Sequence, residues 1–373
     1  MSMDRQIVIH QPARLEIGAG AAAKVGEWAE GAQRVLVLTV PVLADKVEML
    51  GLPGRVEVFT EVPPEPDDRA LAAALAVAAE LKPDVVVGLG GGSVMDVAKL
   101  VSVLWDGAQQ LPDVIGPDKV AQRLSRLALV PTTAGTGSEA GIRALVTNAE
   151  TQAKMAVESG HMRADLAVLD PVLTYSVPPE VTAATGVDAM AHCVEAFTNI
   201  RTHDMIDGYA RMGIGLVGRY LARAVADGTD TEARAGMMLA SYYGGICLGP
   251  VNTAAGHALA YPLGTRLHLP HGLANAIIFP HVLAFNQPER PGKTAEVLDA
   301  LGLPEGAGSQ HVAAVARDYC ERLGVEMRLS AHGAGESDLR GWAEEAHGIR
   351  RLMDNNPREM SVDDVEAIYR AAL

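Results

Sequence analysis

The sequence predicts an α/β domain built on a parallel sheet over residues 1–177, followed by an all-helical domain over residues 178–373. As far as residue 170, short runs of β-branched and aliphatic residues alternate with Ala-rich amphipathic stretches, a pattern typical of strands joined by helices. Beyond TYSVPPE (174–180) one helical pattern follows another, without a further convincing strand. The length of 373 residues suits two domains of ~100–200 residues each.

Each element of the first half has its own signal in the sequence. Residues 68–81, DRALAAALAVAAEL, and residues 94–105 have the apolar spacing of amphipathic helices. Apolar runs bounded by polar or glycine-containing segments predict strands, and these runs cover residues 34–39, 56–60, 84–90, 126–133 and 164–170. Residues 142–157 have the pattern of a hairpin. The alternation of strands with helices indicates that the sheet is parallel and covered by helices.

Composition points to a protein that acts on small molecules. The formal net charge is -15 and the basic residues form no cluster, which argues against a nucleic acid as the main partner. No apolar run approaches the ~20 residues of a membrane span. Cys193, Cys247 and Cys320 are widely spaced, so we expect free thiols in a reducing cytoplasm and no disulfide framework. The start of the chain, MSMDRQIVIH, lacks the pattern of a signal peptide.

Two polar turns follow predicted strands. The first, Gly88-Leu89-Gly90-Gly91-Gly92-Ser93, connects a strand directly to a helix, where backbone N–H groups and the helix dipole favour a phosphate. The second, PTTAGTGSE (131–139), offers small hydroxyl and glycine residues that suit close contact with ribose, phosphate or nicotinamide. Ligands of open α/β sheets lie beyond the carboxyl ends of the strands, where both turns fall. Taken alone, the first turn is equally compatible with a tight strand–helix connection, and the alternative for the second is an ordinary hydrophilic loop. Two such turns after neighbouring strands favour a nucleotide.

The second half carries a set of metal-ligating residue types. Asp188 and His192 are four residues apart, which places both side chains on one face of a helix. His257 and His271 follow within GHALAYPLGTRLHLPHG. One carboxylate and three neutral imidazoles suit Fe²⁺ or Zn²⁺ and leave a position for a substrate oxygen. The alternatives are a surface ion pair and isolated structural histidines; His268 is a possible supporting residue.

At this point the sequence resembles the iron-containing alcohol dehydrogenases over nearly its whole length, with the blocks in the same order and spacing. The residues that carry the resemblance are LGGGSVMDVAK (89–99), PTTAGTGSE (131–139), the lysine of QAKMAV (152–157), TGVDAMAHCVEAF (185–197), GHALAYPLGTRLHLPHGLANAIIFPHVLAFN (256–286) and NPREMSVDDVEAIYRAA (356–372).

The resemblance implies a Rossmann-like dinucleotide-binding domain at residues 1–177 and a helical metal-binding domain at residues 178–373, an architecture shared with dehydroquinate synthase, with the active site in the cleft between the domains. By position, the implied metal ligands are Asp188, His192, His257 and His271. The implied dinucleotide-binding residues are Gly91, Gly92, Ser93, Thr132, Thr133, Thr136, Ser138, Lys154 and Leu173.

The sequence departs from the family pattern at two positions. Many members have an Asp that holds the adenine ribose where this chain has Val40, so NADP is expected to be accepted as well as NAD. Several members have a histidine, often assigned to proton relay, where this chain has Tyr261. We therefore expect Tyr261 to hydrogen-bond the substrate or to donate a proton, with His271 as the other catalytic residue.

The resemblance implies a metal-dependent NAD(P)-linked alcohol dehydrogenase or aldehyde reductase that transfers hydride between nicotinamide and a small alcohol or aldehyde. Similar enzymes suggest a homodimer or larger homo-oligomer in the cytoplasm. One alternative is a maleylacetate reductase that needs no metal, although Asp188 and the run Val94-Met95-Asp96 favour the metal-dependent branch. Another is a cyclising lyase similar to dehydroquinate synthase, which would retain NAD⁺ without net consumption.

Overall fold

The computed structural model describes residues 5–306 and 308–373. This part of the chain divides into two compact units. The α/β unit comprises residues 9–133 and 137–176. The helical unit comprises the described residues of 177–373, together with residues 134–136 and 5–8.

The α/β unit is built on a six-stranded parallel sheet with the strand order β1-β9-β6-β4-β2-β3. A second, three-stranded sheet pairs β5 with β8 and β8 with β7. The strands, in chain order, are β1 (Arg14–Ile17), β2 (Arg34–Leu38), β3 (Arg55–Phe59), β4 (Val85–Gly90), β5 (Gly116–Pro117), β6 (Arg126–Pro131), β7 (Arg143–Thr147), β8 (Lys154–Glu158) and β9 (Leu166–Leu169). The central strands β4 and β6 are buried over nearly their whole length, as expected when both faces of a parallel sheet are covered.

The helices of this unit cover the two faces of the large sheet and bury separate apolar clusters against it. They are α1 (Lys24–Trp28), α2 (Asp68–Leu81), α3 (Gly92–Leu104) and α4 (Leu111–Val114). The start of α2 is defined by Asp67, whose side chain accepts a hydrogen bond from the Ala70 N–H. Helix α3 is buried almost throughout because it packs on β4 and β6.

The helical unit contains ten α-helices and no strand within its described residues. They are α5 (Pro179–Thr198), α6 (Asp204–Ala226), α7 (Thr231–Leu248), α8 (Ala255–Leu267), α9 (His271–Asn286), α10 (Pro291–Ala300), α11 (Ser309–Arg322), α12 (Leu339–His347), α13 (Arg350–Met353) and α14 (Val362–Ala372). Helix α5 packs against α6, α7 and α9, and a second apolar core lies among α8, α9, α12 and α14. Among the described residues, no helix is both long and apolar enough to cross a bilayer.

The predicted fold class is confirmed. The predicted helix over residues 68–81 coincides with α2, and the predicted hairpin corresponds to the antiparallel pair β7 and β8. Strand β1 was not predicted, because RLEI is a short, partly exposed edge strand whose partner β9 lies about 150 residues later in the chain. The two-residue strand β5 was missed for the same reason: its strand character depends on pairing with β8.

Candidate metal centre

Four side chains of the helical unit converge on one point. Asp188, His192, His257 and His271 each direct a ligand atom to it, and these atoms all lie within 4.8 Å of one another. The Asp188 Oδ1 atom lies 3.9 Å from His192 Nε2, 3.5 Å from His257 Nε2 and 3.7 Å from His271 Nε2. The first three side chains are buried and His271 is partly exposed, so the cluster is open on the His271 side.

Three helices bring these residues together. Helix α5 carries Asp188 and His192 one turn apart, helix α8 carries His257, and His271 is the first residue of α9. The start of α9 approaches α5 closely at Gly272, where a Cβ atom would lie 2.7 Å from the Ala184 carbonyl oxygen. Glycine at this position therefore allows His271 to reach the ligands of α5.

Glu195 orients His257 through the ring nitrogen that faces away from the cluster. The Glu195 Oε1 atom lies 2.7 Å from His257 Nδ1, and Oε2 accepts a hydrogen bond from the Ala254 N–H. This contact fixes the ring with Nδ1 towards Glu195 and Nε2 towards the other ligand atoms. Gly256 makes this contact possible, because a Cβ atom there would overlap Glu195 Oε1.

Two further groups support the cluster. The Gly135 carbonyl oxygen lies 3.3 Å from His192 Nδ1, which leaves His192 Nε2 facing the other ligand atoms. The Asn275 side-chain amide donates to Asp188 Oδ1 at 2.8 Å. Sequence reasoning did not identify Glu195 or Asn275. A signal was present, since Glu195 follows His192 by three residues and Asn275 follows His271 by four, which places each on its ligand's helix face.

The electrostatics of the cluster favour a bound cation. Burial by itself raises the pKa of Asp188, but the neighbouring imidazoles of His192, His271 and His257 outweigh it and hold that pKa below its usual range. Burial lowers the pKa of His192 to about 4, which keeps its ring neutral at neutral pH. Burial also opposes charge on His257, yet the Glu195 and Asp188 carboxylates raise its pKa to about 10. The two buried carboxylates thus draw positive charge into the cluster.

The residues present fit a divalent metal ion. His257 Nε2 is buried and, within the part of the chain that the structure describes, has no hydrogen-bond partner, although it faces the other ligand atoms. Asp188 Oδ1 lies 3.5–3.9 Å from the three imidazole nitrogens, so all four side chains would be able to hold one ion at bond lengths of ~2.0–2.2 Å. One carboxylate and three imidazoles are a donor set suited to Fe²⁺ or Zn²⁺.

Tyr261 lies on α8 beside the cluster, with its ring centroid 6.1 Å from that of His271. Its hydroxyl accepts a hydrogen bond from the Arg351 guanidinium at 3.3 Å. His268, a possible supporting residue by sequence, is instead an exposed residue with left-handed backbone at the end of α8. His281 lies inside α9 and outside the cluster, and burial lowers its pKa to about 4.

In the α/β unit, the two polar turns lie side by side at the edge of the sheet. Strands β4 and β6 are neighbours, and Gly90 is in register with Pro131 at their carboxyl ends. The Thr132 N–H donates to the Gly90 carbonyl oxygen at 3.0 Å. A Cβ atom on Gly91 would lie 3.2 Å from Thr133 Oγ1, so glycine keeps the space between the turns open. Gly92 and Ser93 then begin α3, which directs its positive dipole end to this edge.

The remaining sequence-predicted nucleotide residues fall into several environments. Ser93 and Thr133 are partly exposed and Thr132 is buried. Lys154, on β8, pairs with Glu65 and donates to Thr147 Oγ1 at 2.9 Å. Leu173 is buried in the apolar core of this unit. Thr136 is partly exposed within residues 134–136, which group with the helical unit.

A buried polar network supports the second turn. The Lys99 ammonium group, 1% exposed, donates to Ser138 Oγ and to the Arg143 carbonyl oxygen, each at 2.7 Å. Ser138 in turn donates to Asp96 Oδ1 at 2.6 Å. Asp96 and Lys99 both come from α3, so the network connects the helix after the first turn to the residues of the second.

Comparison with known proteins identifies the family. The model of the iron-containing alcohol dehydrogenase family matches residues 12–171, and that of the C-terminal part of the Fe-containing alcohol dehydrogenase family matches residues 182–373. Long-chain-alcohol dehydrogenase 1 of Geobacillus thermodenitrificans is 37% identical, over 92% of this chain and 90% of the relative.

Solved structures show the same relationship. The crystal structure of a 1,3-propanediol oxidoreductase, 30% identical, superimposes with a TM-score of 0.93 over 99% of this chain and 100% of that one. Sulfoacetaldehyde reductase from Bifidobacterium kashiwanohense, solved in complex with NAD⁺, is 28% identical and has a TM-score of 0.89, with 99% of each chain covered. The protein is therefore an oxidoreductase, and the chain belongs to the iron-containing alcohol dehydrogenase family.

Proposed function

We propose that this chain interconverts a small alcohol and its aldehyde with a nicotinamide dinucleotide, at a metal held by Asp188, His192, His257 and His271. The observation that carries the proposal is the convergence of these four ligand atoms within 4.8 Å, with the buried His257 Nε2 facing the others and without a hydrogen-bond partner among the described residues. Iron is the metal that the family description names, and Fe²⁺ and Zn²⁺ both suit these donors.

The reaction moves a hydride and a proton. In the oxidative direction, the C–H bond at the carbinol carbon breaks and its electron pair goes with hydrogen to C4 of the nicotinamide, while the alcohol proton is released. In the reductive direction, hydride adds to the aldehyde carbon and the oxygen gains a proton. A bound divalent cation would supply Lewis acidity that polarises the substrate oxygen.

The protein's own side chains leave one side of the cluster open to substrate and handle the proton. The partly exposed His271 marks the side from which substrate reaches the cluster, while buried Asp188, His192 and His257 close the other sides. We assign the proton step to the Tyr261 hydroxyl, which adjoins His271 and accepts a hydrogen bond from Arg351. A cationic donor stabilises negative charge on the phenol oxygen, so Arg351 assists proton release from Tyr261.

We assign dinucleotide binding to the two polar turns that follow β4 and β6. Gly91, Gly92 and Ser93 present backbone N–H groups at the start of α3, a site suited to the pyrophosphate. Thr132, Thr133, Thr136 and Ser138 belong to the second turn, and Lys154 and Leu173 complete the set by their positions in the family motif. Val40 follows β2 and carries no charge, which removes repulsion of a 2′-phosphate. Both NAD and NADP are therefore proposed as cofactors.

The cellular compartment and the oligomeric state are proposed from fewer observations. Cys193, Cys247 and Cys320 are buried free thiols, in keeping with the reducing cytoplasm. A homodimer or larger homo-oligomer is proposed from the family resemblance.

The experiment that tests the proposal compares metal-loaded with chelated enzyme. Under anaerobic conditions, reduction of short aldehydes is followed by loss of nicotinamide absorbance, with NADH and NADPH assayed separately. Turnover that requires Fe²⁺ or Zn²⁺ supports the proposal. Undiminished turnover after chelation would identify a metal-independent reductase of the maleylacetate type, and NAD⁺-dependent conversion without net NADH formation would identify a lyase.

A pair of histidine variants locates the metal. His271→Ala removes a ligand, so we expect loss of bound metal and of turnover, with dinucleotide binding retained in a fluorescence titration. His268→Ala, an exposed position three residues earlier, is the matched control and should retain full metal content. Equal metal content in the two variants would refute the assigned ligand set.

A further inference from the structure

The segment between β3 and α2 contacts two of the residues that we assign to dinucleotide binding. The Glu65 N–H donates to Ser93 Oγ at 3.3 Å, in the first turn of α3. The Glu65 carboxylate pairs with the Lys154 ammonium group on β8. Glu65 therefore contacts both residues, through its backbone in one case and through its side chain in the other.

The backbone of this segment is held independently of the Glu65 carboxylate. The Thr147 N–H donates to the Pro66 carbonyl oxygen at 2.9 Å, and the Asp67 side chain caps α2. Glu65 itself has a φ of 51°, in the left-handed region that residues with a Cβ atom rarely adopt. Because the anchoring contacts do not involve the Glu65 carboxylate, a change confined to the end of that side chain should leave the segment in place.

The Lys154 ammonium group is largely committed to contacts within the protein. It donates to Thr147 Oγ1 at 2.9 Å and pairs with Glu65. An ammonium group has three N–H donors, so one remains for a ligand. The Lys154 side chain is 17% exposed and that of Glu65 is 48% exposed, so the carboxylate is the more accessible member of the pair. Its negative charge offsets the attraction of Lys154 for a phosphate group.

We propose that Glu65 lowers the affinity of this chain for its dinucleotide by competing for Lys154, and thereby favours release of the cofactor. The proposal rests on the proposed function, because it takes Ser93 and Lys154 as dinucleotide-binding residues. NAD and NADP both carry a negatively charged pyrophosphate, which a nearby carboxylate repels. Loss of the carboxylate charge would remove this repulsion and free a donor of Lys154, so the dinucleotide should bind more tightly.

Glu65→Gln tests the competition, because glutamine keeps the length of the side chain and leaves the backbone bond to Ser93 in place. Dissociation constants for NADH and NADPH are measured by fluorescence titration of the metal-loaded enzyme. At about 0.05 M salt we expect both constants to fall by about three- to tenfold, the size of one partly screened charge interaction. At about 0.5 M salt the gain should shrink, because salt screens exposed charges. In steady-state assays the change should appear in KM for the dinucleotide.

Two further variants complete the test. Glu57→Gln is the matched control, because Glu57 is also a carboxylate in an exposed ion pair, with Arg55, but lies inside β3. It should leave both dissociation constants within about twofold of the wild type. Lys154→Met removes the group for which Glu65 competes and should weaken dinucleotide binding. Wild-type affinity in Lys154→Met would show that the ammonium group does not serve the dinucleotide, and the competition would be refuted.

The outcomes separate this inference from the function on which it rests. If the wild type binds NADH and Glu65→Gln binds it equally or more weakly, the competition is refuted and the dehydrogenase proposal stands. Tighter binding of equal size at both salt concentrations would also refute it, because a charge effect must respond to screening. If the wild type binds neither NADH nor NADPH, the proposed function fails and the inference with it.

Discussion

Replacement of Glu195 by glutamine should weaken metal binding while leaving all four ligands in place. Glu195 accepts two hydrogen bonds, from His257 Nδ1 and from the Ala254 N–H, and it is 6% exposed. A glutamine side chain has one oxygen, so it can accept only one of these bonds and must direct its NH₂ group at the other donor. Either His257 loses its orienting partner or the segment that carries it shifts.

The magnitude follows from the bond that is lost. Hydrogen bonds to a charged group contribute about 1.5–3 kcal/mol each, which corresponds to roughly a 10- to 150-fold change in an equilibrium constant. Partners that orient a metal-binding histidine typically contribute 10–100-fold to metal affinity. We therefore expect the dissociation constant for Zn²⁺ or Fe²⁺ to rise by about 10–100-fold in Glu195→Gln.

Metal affinity is measured by competition with a chromophoric chelator, under anaerobic conditions for Fe²⁺, alongside circular dichroism of the metal-free protein. Asp207→Asn is the matched control, because Asp207 is also a buried carboxylate but pairs with Lys293. It should leave metal affinity within about twofold of the wild type, even if stability falls. An unchanged dissociation constant in Glu195→Gln, or an equal loss in Asp207→Asn, would refute the orienting role of Glu195.

Three further predictions concern single positions. Gly256→Ala places a methyl group against Glu195 Oε1, so metal affinity should fall as it does in Glu195→Gln. Wild-type metal affinity of this variant in chelator competition would contradict the prediction. Val40→Asp introduces a carboxylate beside the expected adenine ribose and should shift the NADH-to-NADPH ratio of kcat/KM towards NADH by about tenfold, or ~1.4 kcal/mol; an unmoved ratio would place the ribose elsewhere. Burial raises the pKa of Glu139 to about 7 from 4.5, so this group lowers stability as pH rises through that interval. The stability advantage of Glu139→Gln in urea unfolding should therefore grow by about 2–3 kcal/mol between roughly pH 5 and pH 8, and a pH-independent difference would contradict the raised pKa.

The order of strands and helices was accessible from the sequence because it depends on local signals. Apolar periodicity and a polar cap define α2, and continuous aliphatic runs define β2, β4 and β6. The family resemblance added the candidate ligands. The spacing of Asp188 and His192 placed them on one face of one helix, a relation fixed by helix geometry alone.

Other features depend on contacts between distant segments, which periodicity does not encode. Residues Arg14–Ile17 form strand β1 because they pair with β9. Four partly exposed residues are too few to give a strand pattern in the sequence. The carbonyl oxygen behind His192 comes from Gly135, 57 residues earlier in the chain. A backbone atom has no sequence signature as a hydrogen-bond acceptor, so only the packed structure reveals its role.

The sequence by itself therefore determined the fold class and the family, and it named the four residues of the candidate metal centre. Only the tertiary structure decided how those residues are held and what surrounds them. Glu195 and His257 are 62 residues apart, and Tyr261 and Arg351 are 90 apart. Their pairing depends on how α5, α8 and α13 pack, and packing is a property of the whole core, whereas helix spacing is a property of a few consecutive residues.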